Sequence, residues 1–180
     1  MISESYIYKD ELLKYATDLQ KRRSQKRWTD RTNLLIEKEL FFGFFIIRKL
    51  CETVKISDSL KAKDFPVSVL SINSSIDINF TTDHKALKYV NWDDPQPDKM
   101  KVTHICNQFI HSFLMTLILN EDDGLGGILI SSDRYKSKKC FMIELDTIIQ
   151  IFIEFGNNYP CTSHFRREFG TCKIIEYRTE

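Results

Sequence analysis

An asparagine and a histidine four residues apart are the side chains in this chain best placed to do chemistry. Asn107 and His111 lie in the stretch Val102 to Phe113, which reads VTHICNQFIHSF. On a helix, a spacing of four brings two side chains together over one turn. The imidazole titrates near neutral pH, so His111 suits the removal of a proton from a hydroxyl. The neighbouring amide of Asn107 can hold that ring in one tautomer. A base of this kind works best beside a cation that meets the negative charge developing on the reacting group. Arg48 is the candidate cation if its helix packs against this one. His104 and Gln108 share the polar face of the same stretch. The competing structural expectation is a histidine that hydrogen-bonds across helices to satisfy a half-buried site. For Arg48 it is an i,i+4 ion pair with Glu52.

Other residues carry weaker signals. Lys21, Arg22, Arg23, Lys26 and Arg27 fall within seven residues. They read as a solvated helix end, where cations suit the helix dipole, or as a nucleic-acid-binding patch for a phosphate backbone. Cys161, His164 and Cys172 offer three ligands where a structural zinc wants four, so no metal site is assigned. Gly124, Gly126 and Gly127 lack the lysine or the spacing of a phosphate loop and fit a hairpin turn better. Asp93, Asp94 and Asp98 lack the rest of a calcium loop. No cofactor is expected.

The elements that must position these residues follow from hydrophobic periodicity. Val102, Ile105, Cys106, Phe109, Ile110 and Phe113 recur as one buried face of a helix. Residues 5 to 27 read as a first helix with Tyr6, Leu12, Leu13, Ala16 and Leu19 inward. A second runs from about 31 to 54, capped by Thr29 or Asp30. Its seam of Leu40, Phe44, Ile47, Cys51 and Val54 is widened by Phe41, Phe45 and Leu50. That nearly all-round apolar middle predicts a helix buried centrally. Phe65 to Ile72 suggests a strand, and Ile76, Ile78 and Phe80 alternate as another would. Residues 83 to 90 suggest a helical turn carrying His84, and 92 to 98 a loop rich in Asp and Pro. Strands are predicted near 115–119, 128–131 and 140–145, forming an antiparallel meander around the turn NEDDGLGG. Asp146 can cap a last helix through Phe155, with Gly156 placed to stop it.

Cys106-Asn107-Gln108-Phe109-Ile110-His111 resembles the signature of the HEPN superfamily. These are helical proteins that include many metal-independent RNases of toxin and phage-defence systems. Their motif is Arg-Asn-x-x-x-His on a late helix, and the arginine and histidine act on the scissile phosphodiester. Asn107 and His111 match it, while Cys106 stands at the arginine position. The helix with Phe45-Ile46-Ile47-Arg48-Lys49-Leu50 also looks like one found in small bacterial proteins. The resemblance implies RNA as substrate or ligand, and a role in bacterial defence or a toxin–antitoxin pair.

The chain has 180 residues, 42% hydrophobic and 28% charged, enough for a real core in a single domain. A net charge of +1 advertises no global attraction to nucleic acid or membrane, so RNA affinity must come from a local patch. Five cysteines, an odd number, fit buried thiols in a reducing compartment. The first residues lack the basic and apolar regions of a signal peptide. The longest apolar run, Leu40 to Ile47, falls far short of the ~20 residues of a membrane span. A cytoplasmic location is expected. The fold class expected is α+β. Within one domain, residues 1–58 are helical, 59–100 mixed strand and loop, 101–113 the central helix, 114–159 a β-meander and helix, and 160–180 a tail. Two functions stand against each other. One is an RNA-binding or metal-independent RNase-like protein. The other is a non-catalytic interaction module whose partner is another protein or a second copy of the chain.

Overall fold

The computed structural model describes residues 4–73, 78–79, 82–169 and 174–180. The helices are α1 (Tyr6–Arg22), α2 (Asp30–Cys51), α3 (Asp58–Ala62), α4 (Val102–Ile110) and α5 (Leu145–Asn157). The strands are β1 (Asp64–Ser71), β2 (Gln96–Lys101), β3 (Ser112–Leu119), β4 (Leu125–Ser132), β5 (Lys139–Glu144), β6 (Ser163–Arg167) and β7 (Ile174–Thr179). A 3-10 helix spans Asp83–Tyr89. The class is α+β, as expected.

Five strands form one antiparallel sheet in the order β2-β1-β5-β4-β3, and β6 and β7 form a separate ribbon. The predicted meander is its β3-β4-β5 half, built on tight connections. Successive side chains of a strand face opposite sides. Ile128 and Ile130 of β4, with Phe141 and Ile143 of β5, therefore join the helix-side core. Leu129 and Cys140 instead join a smaller cluster with Leu70, Ile78, Ala86 and Val90 on the other face. Burial on both faces explains why β4 reads as a nearly continuous apolar run.

The helix-side core is centred on aromatic rings. Phe44 of α2 stacks on Phe109 of α4 with centroids 4.0 Å apart and planes 11° from parallel. Phe152 of α5 meets Phe44 edge-on at 5.2 Å. Gly43 permits this approach, because a Cβ there would lie 2.3 Å from Phe152 Cζ. Thr29 starts α2, its hydroxyl accepting the Thr32 N–H at 3.2 Å.

Several expectations are corrected. α2 is buried on one side only. Ile36, Leu40, Phe44, Ile47 and Leu50 face the core, while Leu34, Leu35, Phe41, Phe42 and Phe45 are exposed, Phe42 by 54%. Helices and sheet pack against α2 from a single direction, so its apolar residues outnumber the positions that packing can cover. Val54 lies beyond the helix and is exposed. α4 stops at Ile110, which is 39% exposed, and Phe113 belongs to β3. Residues 96–98 are strand rather than loop, and Pro97 is tolerated because β2 is an edge strand. Asp146 does not cap α5, since Glu144 holds the N-cap position; Asp146 pairs with Arg23 instead. Gly156 lies within α5, packed against Leu13 and the Lys9 carbonyl. Ile76 and Phe80 lie outside the described residues. No helix among the described residues is long and apolar enough to cross a membrane.

Candidate functional site

α4 is short, and its amphipathic pattern decides what it offers. Val102, Ile105, Cys106 and Phe109 are buried, which turns His104, Asn107 and His111 outward. His104 and His111 are exposed, and Asn107 is half-buried. His111 follows the last helical residue, its backbone N–H donating to the Asn107 carbonyl at 3.1 Å.

Two hydrogen bonds tie the β4–β5 turn to this helix end. The His111 carbonyl accepts the Asp133 N–H at 3.0 Å. The Gln108 side-chain oxygen accepts the Ser132 N–H at 3.2 Å. Gln108 is therefore structural, buried between helix and sheet. The turn is thereby fixed beside the two histidines.

Between these elements lies a cleft of about 620 Å³, within the range of about 300–1,000 Å³ usual for ligand pockets. His104, Asn107 and His111 line one wall. Asp98, Lys99 and Met100 of β2 line another. Asp133, Arg134 and Tyr135 of the turn, with Lys139 and Phe141 of β5, complete it. The cleft is thus lined by two imidazoles and three cations, with the half-buried ring of Tyr135 and the core ring of Phe141 beside them. Tyr135 and Phe141 meet edge-on at 5.7 Å. Lys139 Nζ sits 5.1 Å from the Tyr135 ring centre and 5.2 Å from that of Phe141, and the Arg134 guanidinium 5.5 Å from that of Tyr135. Contact with aromatic faces orients these cations. Asp133 is already paired, with Lys136 at 2.8 Å.

Arg48 reaches the site from behind. Its Nη1 donates to Asn107 Oδ1 at 3.2 Å, and its Nε donates to Glu52 at 3.0 Å. The Arg48–Glu52 pair expected from the i,i+4 spacing is present, and the same guanidinium also reaches Asn107. Hydrogen bonds from Lys49 and Arg48 hold the Glu52 carboxyl below its ordinary pKa. Arg48 is not among the residues that line the cleft; Asn107 links it to the face carrying His111. Cys106 points into the core, fully buried, and burial pushes its thiol well above the ordinary range. A charged side chain in that orientation would be costly to bury.

The basic run of the α1–α2 connection is largely engaged in internal contacts. Lys21 pairs with Asp18 at 2.7 Å, and Arg22 donates to Gln25 at 2.6 Å. Arg23 pairs with Asp146, and Lys26 donates to the Asp122 carbonyl. Trp28 Nε1 donates to the Asp123 carbonyl at 2.8 Å. Gly124 lies so close to the Arg23 carbonyl that a Cβ would come within 1.7 Å of it. These contacts dock the connection onto the β3–β4 turn. Arg27 is exposed. Among the described residues no cluster of three His, Cys, Asp or Glu could hold a metal ion, and Cys172 lies outside them.

Lys99, Arg134, Tyr135 and Lys139 escaped the sequence reading. Residues 132–139 lie between two predicted strands, and only their density of cations around a tyrosine hints at a site. No family model, curated protein or solved structure matches the chain.

Proposed function

We propose that the cleft binds single-stranded RNA and cleaves it without a metal ion, in the setting of bacterial defence or a toxin–antitoxin pair that the HEPN-like Asn107–His111 motif implies. The observation that carries this is the exposure of His111 in a cleft that also holds Lys99, Arg134 and Lys139. His111 takes the proton of the 2′-hydroxyl. The cations meet the charge that builds on the phosphoryl oxygens. Arg48 acts through Asn107, as a positioning residue. Tyr135, half-buried at the cleft, gives a base an aromatic surface to lie against.

The test is direct. Purified protein is incubated with several end-labelled single-stranded RNAs in EDTA across pH 6–8. Cleavage leaving 2′,3′-cyclic phosphate ends is expected, and His111→Ala should slow it by about 10² to 10⁴. Intact RNAs throughout, or a folded His111→Ala that cuts as fast as the parent, would overturn the reading.

A second reading has its own support. Leu34, Leu35, Phe41, Phe42 and Phe45 form an exposed apolar face along α2, and such faces mark interaction surfaces. Under that reading the chain is a non-catalytic module, and Phe42→Glu, not His111→Ala, abolishes its function.

A further inference from the structure

His104 is the one cleft imidazole that the proposed reaction leaves idle. It lies seven residues before His111, lines the same cleft and is likewise exposed. Seven residues along a helix advance about 10 Å, and His111 stands at the C-cap position that closes α4. Two side chains with that separation flank a group laid along the helix between them. Asn107, between the two, also lines the cleft and accepts a hydrogen bond from Arg48.

Resting on the RNA-cleavage reading above, we infer that His104 is a second catalytic residue, the general acid that protonates the leaving 5′-oxygen while His111 serves as the base. The 2′-oxygen forms a bond to phosphorus as its proton passes to His111. The P–O5′ bond breaks, and the proton of the His104 imidazolium goes to the departing oxygen. The products are a 2′,3′-cyclic phosphate and a 5′-hydroxyl. Charge is conserved, and no metal or co-reactant enters. The charged and titratable groups that share the cleft with the two imidazoles are Asp98 and Lys99 from β2, Asp133, Arg134 and Tyr135 from the turn, and Lys139 from β5. The neutral-base, protonated-acid pair makes the rate bell-shaped in pH.

The experiment separates acid from base through the leaving group. Parent, His104→Ala and His111→Ala proteins, each checked by circular dichroism, are assayed on a uridylyl dinucleotide and on uridine 3′-(4-nitrophenyl phosphate). Nitrophenolate departs without being protonated. His104→Ala should lose about 10² to 10⁴ on the dinucleotide, together with the descending limb of the pH profile. It should keep close to parental activity on the nitrophenyl ester. His111→Ala should lose activity on both. Parental rates for His104→Ala on the dinucleotide, or equal losses on both substrates, would overturn the assignment while leaving RNA cleavage standing. A parent inactive on both substrates would overturn the cleavage reading and this assignment with it.

Discussion

Replacing Gly43 by alanine sets two effects of opposite sign against each other. Alanine is favoured over glycine in a helix interior by about 1 kcal/mol. Against that, the new Cβ would lie 2.3, 2.8 and 3.0 Å from three ring carbons of Phe152. Phe152 has little room to retreat. It is fully buried, edge-on to Phe44 at 5.2 Å, with Tyr15 at 6.4 Å. Overpacking a filled core costs about 1–3 kcal/mol, so the clash should exceed the helix gain. The expected net loss is about 1 kcal/mol, or roughly 2–4 °C in Tm for a chain of this size. Urea melts of parent and Gly43→Ala, read at unchanged m, measure it. Phe152→Leu provides the control, because a smaller side chain leaves space for the methyl group. In that background Gly43→Ala should be neutral or stabilising, with a coupling of about 1–2 kcal/mol between the two sites. If Gly43→Ala alone raises stability, or the two changes are additive, then α2 and α5 do not approach through this glycine.

Phe109→Ala should cost about 3–5 kcal/mol in the same melts, since the ring is fully buried and stacked on Phe44; a loss below about 1 kcal/mol would contradict the assigned core face of α4. Arg48→Met and Asn107→Ala should be coupled in a double-mutant cycle by about 1 kcal/mol, modest because Arg48 is partly exposed; a coupling near zero would break the link between α2 and the cleft. Lys9 is buried, its ammonium donating to the Lys55 and Asn158 carbonyls, and burial with nearby Lys55 lowers its pKa from the ordinary 10.5 to about 8. Between those two values the unfolded chain holds a proton that the folded chain has released, so the Lys9 contribution makes the fold more stable as pH rises. Stability of the parent relative to Lys9→Met should therefore increase from pH 8 to 10.5, and a flat or falling difference would refute it. RNA affinity, measured against salt, should lose slope in Arg134→Gln/Lys139→Gln and change little in Arg22→Gln/Arg23→Gln, whose arginines already bind Gln25 and Asp146; the reverse order would return the phosphate patch to the α1–α2 connection.

Periodicity in the sequence sufficed to place the core face of α4 at Val102, Ile105, Cys106 and Phe109, and to set the β3-β4-β5 meander around its glycine-rich turn. Burial spacing is a local property of helix and strand, so neighbouring residues carry it. The pairing of Arg48 with Glu52 was legible for the same reason, being one turn of helix. What the periodicity could not tell is which apolar residues the rest of the molecule would cover. Phe41, Phe42, Phe45 and Ile110 belong to apolar runs yet face solvent, because the sheet and the other helices reach α2 and α4 from one side only. The cleft itself depended on long-range pairing. Lys99 arrives on an edge strand whose register is set by β1, and Arg134, Tyr135 and Lys139 arrive through β4 and β5. Backbone and side-chain bonds from the helix end then clamp that turn in place. The basic run of the α1–α2 connection went the other way, drawn into contacts with Asp146 and the β3–β4 turn nearly a hundred residues or more away. A charge in a sequence has no partner until the chain folds, and tertiary contacts decided which cations hold the fold together and which face the cleft.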